Sequence, residues 1–304
     1  MALLLPQRVH SDDRFQTSVS EIMRGTGGAA IVSDPRTGRI LAVWNRRVIF
    51  QSAFPPGSTA KLVTSAVALE NNLIKPDETL NCRRVPPLLG EAYHCSHPDA
   101  IEPFTITTAL ANSCNYFFAA LSTRLDAATL QRGFSMFGFG TTPTTEERPV
   151  LRISADPAAK ARAALGEKPV FGTPAELLMA YSAVATRGTI YRLQRGKSKT
   201  PSVLRTVRLK PSTWQTLSEG LEECVRAGTC QAAAVRGIRV AGKTGTGSAL
   251  DGSGWTHAWF AGYAPADAPE IAIVVFLSRG TGAHDAAPLA GRILRQYFAL
   301  RETR

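Results

Sequence analysis

No stretch of the chain approaches the ~18 consecutive apolar residues of a membrane-crossing helix. The opening run, Ala2-Leu3-Leu4-Leu5, is too short for the apolar core of an export signal and has no basic flank before it. Any anchor or signal is therefore expected outside this chain, and residues 1 to about 27 are expected to form a linker. Charge is sparse as well: Asp, Glu, Lys and Arg make up 19% of the 304 residues, below the roughly 25% of ordinary soluble proteins. No segment combines low hydrophobicity with excess charge, which argues against a disordered region, and neither internal repeats nor low-complexity tracts occur. The chain has no Cys-x-x-Cys pair. Although His94 and His97 flank Cys95, no metal site is expected, and no cofactor.

What is present is an apolar fraction of 44%, enough to bury one large core. We expect a single lobed domain over residues 28–304. The 35 basic against 24 acidic residues give a net charge of +11, a field that draws a protein toward anionic surfaces. The basic residues are scattered apart from pairs such as Arg46-Arg47 and Arg83-Arg84, with no interleaved aromatics, so nucleic acid is not expected as a partner. An anionic membrane face or cell wall suits the charge at least as well, and a generic Arg-rich composition accounts for it most simply.

Five cysteines stand at 82, 95, 114, 224 and 230. Cys82 and Cys95 bracket a loop rich in Pro and Leu, and Cys224 and Cys230 bracket a short Val-Arg-Ala-Gly-Thr turn. Local pairing as Cys82–Cys95 and Cys224–Cys230 is expected, the longer loop gaining about 3 kcal/mol on the chain-entropy estimate, and it implies an oxidising compartment. Five free thiols remain the alternative, because spacing does not fix connectivity.

Two apolar runs around Asp34-Pro35-Arg36-Thr37-Gly38 predict a hairpin over residues 28–44. From Ser58 to about residue 230 the pattern becomes helical, with helices expected over 59–70, 106–124, 127–137, 174–187 and 212–226. Thr173-Pro174-Ala175-Glu176 carries a capping-box signature, and Gly188 stops that helix. Strands follow at 236–245, 256–264 and 270–278, then a helix from Ala287 to Leu300. A hairpin cannot bury its apolar face alone. The fold class expected is therefore α+β: an antiparallel sheet built from both chain ends, layered with helices, and a helical lobe at about 59–230 inserted between its halves. The site should lie where sheet and lobe meet.

Three short motifs occur once each and in order: Ser58-Thr59-Ala60-Lys61, Ser113-Cys114-Asn115 and Lys243-Thr244-Gly245-Thr246. Composition alone would produce all three in this order in roughly one such chain in 500. Pro55-Pro56-Gly57 halts the chain before Ser58, so a helix starting there sets Lys61 one turn on, on the same face. A serine hydroxyl needs a base to act as nucleophile, and lysine serves once burial or a nearby cation, for which Lys243 is a candidate, lowers its pKa. Taken singly, Ser58 reads equally well as a helix cap, and Ser113 or Asn115 better so. In combination, Ser113 and Asn115 would present a hydroxyl and an amide to the cleft. Gly242 and Gly245 would leave the strand bearing Lys243 open for a substrate backbone to pair with it.

Longer stretches extend the motifs: Pro56-Gly57-Ser58-Thr59-Ala60-Lys61, Ala111-Asn-Ser-Cys-Asn-Tyr-Phe117, Gly172-Thr-Pro-Ala-Glu-Leu-Leu-Met-Ala-Tyr181, Val240-Ala-Gly-Lys-Thr-Gly-Thr-Gly247 and His257-Ala-Trp-Phe-Ala-Gly-Tyr-Ala-Pro265. From about Gly28 to Phe298 the sequence resembles the transpeptidase domain of high-molecular-mass penicillin-binding proteins, of the β-lactamase/transpeptidase-like fold. The resemblance implies a serine D,D-transpeptidase that cross-links peptidoglycan stem peptides and is acylated by β-lactams. It implies that Ser58 is the nucleophile, Lys61 its base and Ser113 a proton relay. Asn115 would hold the substrate amide, and Lys243, Thr244 and Thr246, with Gly245 between them, the terminal carboxylate. A membrane-embedded glycan polymerase is then an expected partner and an extracytoplasmic location is expected. The family's usual amino-terminal anchor, pedestal or glycosyltransferase parts do not occur in this sequence. His97 and His257 are expected to be structural.

The same motifs fit a D,D-carboxypeptidase, which differs only in using water to release the acyl group, or a β-lactam-binding sensor module. A β-lactamase on this fold is disfavoured, because no Glu-x-x-Leu-Asn or Tyr-Gly-Asn segment accompanies the motifs.

Overall fold

A computed structural model describes residues 11–86, 88–99, 103–141, 150–196 and 200–302. In chain order the first half holds α1 (Ser11–Met23), β1 (Gly28–Ser33), β2 (Ile40–Trp44), α2 (Arg46–Gln51), a 3-10 turn (Gly57–Ala60), α3 (Lys61–Glu70), α4 (Ile106–Ala111), α5 (Asn115–Thr123) and α6 (Ala127–Met136). There follow α7 (Pro157–Ala164), α8 (Pro174–Ala185), β3 (Thr189–Tyr191), β4 (Val203–Thr206), α9 (Pro211–Arg226), β5 (Ala241–Ser248), β6 (Thr256–Ala264), β7 (Ile271–Leu277) and α10 (Ala287–Glu302).

The strands from the two chain ends form one antiparallel five-stranded sheet in the order β2-β1-β7-β6-β5. Sequence alternation explains why both its faces are covered. Ala29 and Ile31 of β1, with Ala272, Val274 and Phe276 of β7, enter the core shared with the helical lobe. Ala30, Val32, Ile271, Ile273 and Val275 enter a second core under α1 and α10. Strands sandwiched this way read as unbroken apolar runs, and β7 is buried at every position.

The expected linker does not hold for residues 11–23, which form α1; residues 1–10 lie outside the described residues. Phe15, Val19, Ile22 and Met23 are buried on the sheet, and the Gln16 amide bonds both backbone groups of Val43 on β2 at 3.2 and 3.0 Å. The period of those four apolar residues was the available signal.

The hairpin forms as expected, with Gly38 at φ +71° closing its turn. So does the capping box, in which Thr173 and Glu176 each bond the other's backbone N–H at 3.1 Å. Helix α8 behind it is buried along almost its whole length and packs on β6 and β7. The expected helix 106–124 is broken in two around Ser113. The expected strand 236–245 begins only at Ala241, because Val235 and Ile238 bridge across a turn with Gly237 at φ +77°. Helices α2 and α7 and the small β3–β4 pair were not anticipated. No helix among the described residues is long and apolar enough to cross a membrane.

Candidate active site

Ser58 sits in the tight turn Gly57–Ala60 ahead of α3, and that turn is fixed from several sides. Gly57 has φ +53°, and a Cβ there would stand 2.4 Å from the Thr246 carbonyl oxygen, so only glycine lets the turn lie against β5. Its N–H donates to Gly166 O at 3.0 Å. The Trp259 indole donates to Pro55 O at 3.0 Å, the Thr59 hydroxyl to Pro56 O at 2.7 Å and the Tyr181 hydroxyl to Thr59 O at 2.9 Å. Held on both sides, Ser58 is partly exposed in the cleft.

Lys61 opens α3 and is fully buried. Its Nζ donates to Ser113 O at 2.8 Å, to Ser113 Oγ at 3.2 Å and to Asn115 Oδ1 at 2.6 Å, joining the first motif to the second. Burial pulls its pKa down to about 8 against the opposing influence of Cys114, Cys95 and Glu167. Of the two causes considered from sequence, burial accounts for the drop. Lys243, the candidate cation, is itself lowered, first by its own burial and then by Lys61.

The break between α4 and α5 presents the second motif. Ser113 adopts φ +58°, a left-handed conformation uncommon outside glycine and frequent at functional sites. Cys114 then caps α5, its sulfur accepting from Phe117 N at 3.4 Å. Asn115 is held at both ends, since Oδ1 accepts from Lys61 while Nδ2 donates to Tyr93 O at 3.1 Å.

The third motif runs along β5, the edge strand of the sheet. No further strand pairs its outer edge among the described residues, and its glycines also let it pack closely: a Cβ on Gly245 would lie 2.6 Å from Pro56 O, and one on Gly242 would lie 2.4 Å from the Phe260 ring. Gly245 thereby seats the strand against the turn that carries Ser58. Lys243 is buried and donates to Thr244 O at 3.0 Å. The Thr244 hydroxyl is 2.5 Å from that of Thr229, and Thr246 Oγ1 accepts from Gly282 N at 3.2 Å.

These parts surround a cleft of about 480 Å³ lined by Ser58, Ser113, Asn115, Thr244, Gly245 and Thr246, with Lys61 and Lys243 buried behind it. Among the further lining residues that sequence reasoning missed are Tyr93, Glu167 and Thr229. Glu167 is largely buried, its carboxylate accepts from Ser248 N at 3.3 Å, and burial raises its pKa. Nothing in its local sequence singled it out. Thr229 had a signal in Cys224 and Cys230, which form the expected disulfide around it.

The other expected disulfide does not form: Cys82, Cys95 and Cys114 are buried free thiols. Cys95 Sγ stands 3.8 Å from Cys114 Sγ, where the loop packs on the start of α5. His257 accords with the structural role expected of it, packing edge-on to Phe54 at 4.9 Å with its Nδ1 2.9 Å from Ser278 O.

Comparison with known proteins gives a consistent result. The family model described as the penicillin-binding protein transpeptidase domain matches residues 28–297. Stage V sporulation protein D of Bacillus subtilis is 28% identical, covering 88% of this chain and 48% of its own length. A peptidoglycan D,D-transpeptidase of Mycobacterium tuberculosis, PbpA, is 27% identical over 88% of this chain and 66% of its own. The chain thus spans about half to two thirds of the length of these curated relatives. Among solved structures, the D,D-transpeptidase domain of a peptidoglycan glycosyltransferase from Eggerthella lenta superposes with TM-score 0.79 at 25% identity, over 96% of this chain and 82% of that one.

Proposed function

The chain belongs to the penicillin-binding protein transpeptidase family, and on that premise we propose that it is a serine D,D-transpeptidase cross-linking peptidoglycan stem peptides. The observation that carries the reading is the meeting of three motifs at one cleft, with a buried, pKa-lowered Lys61 bonded to Ser113 and Asn115, which line that cleft together with Ser58.

In the first half-reaction Ser58 Oγ attacks the penultimate D-Ala carbonyl carbon. Neutral Lys61 takes the hydroxyl proton, which its contact with Ser113 Oγ can hand to the departing amine. The peptide C–N bond breaks, D-Ala leaves as the free amino acid and an ester to Ser58 remains. The turn fixed by Tyr181, Trp259 and Gly57 keeps the attacking oxygen in position, so little reorganisation accompanies the attack. Backbone N–H groups of Ser58 and Thr246 would receive the developing oxyanion. Lys243, Thr244 and Thr246 would hold the terminal carboxylate and Asn115 the substrate amide, as the resemblance implies. In the second half-reaction an amine of a neighbouring stem peptide attacks the ester, forming a new amide and returning the proton to Ser58. β-Lactams acylate the same serine by ring opening; the cleaved amine stays tethered, and the adduct persists.

An extracytoplasmic site of action suits this chemistry and the Cys224–Cys230 disulfide. A membrane-embedded glycan polymerase would be the natural partner, since cross-linking consumes the strands it makes; the Eggerthella lenta domain is described as part of a peptidoglycan glycosyltransferase. Deacylation of the Ser58 adduct of a D-Ala-D-Ala peptide with and without an acceptor amine tests the reading. Cross-linked product supports it, and release by water alone regardless of acceptor contradicts it in favour of a carboxypeptidase.

A further inference from the structure

Among its described residues, the connection between α3 and α4 forms no helix or strand beyond a 3-10 turn at Glu91–Tyr93, yet it forms the lip of the cleft through Ala92, Tyr93 and Ser96. A loop this long inside a packed domain is uncommon unless something ties it down. Cys82, Cys95 and His97 of this loop converge on Cys114, the cap of α5; all four are buried, and their ligand atoms lie within 4.8 Å of one another.

We propose that Cys82, Cys95, His97 and Cys114 form a structural zinc site that fastens the lip of the cleft to the Ser113-Cys114-Asn115 motif. Three thiolates and one imidazole are a ligand set of closed, tetrahedral zinc sites, and soft sulfur donors exclude magnesium and calcium. Sulfurs about 2.3 Å from a tetrahedral centre stand about 3.8 Å apart, the separation of Cys95 Sγ and Cys114 Sγ.

The surroundings fit a bound cation. Each sulfur accepts a backbone N–H: Cys82 from Arg84 at 3.2 Å, Cys95 from Tyr116 at 3.2 Å and Cys114 from Phe117 at 3.4 Å. Such donors stabilise the thiolate form that a metal needs. His97 Nδ1 is 3.1 Å from the Pro98 carbonyl, an acceptor, which assigns the ring proton to Nδ1 and leaves a lone pair on Nε2. That Nε2 is buried with no hydrogen-bond partner among the described residues, a costly state for a polar atom unless it has a ligand to bind. An outer partner on the second ring nitrogen is the usual arrangement of a metal-bound histidine. Three thiolates around a divalent ion leave one net negative charge. Two basic side chains stand by: Arg84, bonded to the carbonyls of Cys95 and His97 and ion-paired with Asp99, and Lys61, bonded to the residues on either side of Cys114. Binding would release the thiol protons.

The test is metal content of the full chain produced in zinc-containing medium, followed by exchange with cobalt(II). Neither measurement needs a β-lactam, so failure of the metal site and failure of the acyl-transfer reading are told apart. The expected result is one zinc per chain, with cobalt giving tetrahedral d–d and thiolate-to-metal charge-transfer bands. Cys82→Ser should lose the metal, and His97→Gln should weaken binding by at least the ~10–100-fold that outer-shell changes cost. A wild-type chain that holds no more zinc than Cys82→Ser overturns the proposal. So does cobalt bound without thiolate bands, or a Cys95–Cys114 disulfide in a chain that takes up no zinc after reduction. The cobalt spectrum of the wild type decides the matter even if the variants fail to fold.

Discussion

Lys61 Nζ donates to Asn115 Oδ1 at 2.6 Å, so the base proposed for Ser58 is held by a residue 54 positions further along the chain. Replacing Lys61 by Met should keep the fold, since the site is already buried, and remove the base. Acylation by a fluorescent penicillin should fall about 10²–10⁴-fold, the usual contribution of a positioned base. Labelling kinetics alongside a thermal melt check this; acylation within a few-fold of wild type in a folded variant would remove Lys61 from the mechanism.

The same lysine sets a pH dependence. Burial lowers its pKa to about 8, and only the neutral amine accepts the Ser58 proton. The neutral fraction grows as pH rises, so the acylation rate should climb through about pH 8 and level off above it. Stopped-flow acylation across that range would show the step, and a rate that falls with rising pH there would contradict it.

Gly57 should tolerate no side chain. A Cβ would stand 2.4 Å from Thr246 O at a residue with φ +53°, so Gly57→Ala must push β5 away from the serine turn. Destabilisation of about 1–3 kcal/mol is expected from overpacking, together with slower acylation. Urea unfolding measures the first, and unchanged stability would mean the turn and strand are not in contact.

Tyr181→Phe isolates one hydrogen bond. It leaves the buried Thr59 carbonyl without its 2.9 Å donor, at a cost of about 1–3 kcal/mol. Because Thr59 follows the nucleophile, the variant should also lose acylation rate beyond what its stability change explains. Stability lost with acylation unaltered would make Tyr181 a packing residue only.

How much of this could be read beforehand follows from the range of the interactions. The hairpin at Asp34–Gly38, the capping box at Thr173 and Glu176 and the three motifs are written in neighbouring residues, and the local pattern sufficed for them. The break at Ser113 rests on a left-handed backbone angle, which an apolar run such as Ala109 to Leu121 does not announce. The packing role of Gly245 depends on Pro56 and Thr59 approaching it from a distant part of the chain, so the local pattern showed the edge strand's small residues but not that close contact. Cysteine pairing divides the same way. Cys224 and Cys230 are joined across a short turn, whereas Cys82 and Cys95 gather with Cys114, a residue the spacing of the loop does not point to. Glu167 had no signature at all, since its place in the cleft comes from the sheet and from Ser248.

The most direct measurement of the central claim is the intact mass of the full chain after exposure to benzylpenicillin, beside that of Ser58→Ala. The account predicts a single stable penicilloyl adduct, mapped to the peptide containing Ser58, and none on the folded variant. Equal labelling of Ser58→Ala, or an adduct on another residue, would contradict it.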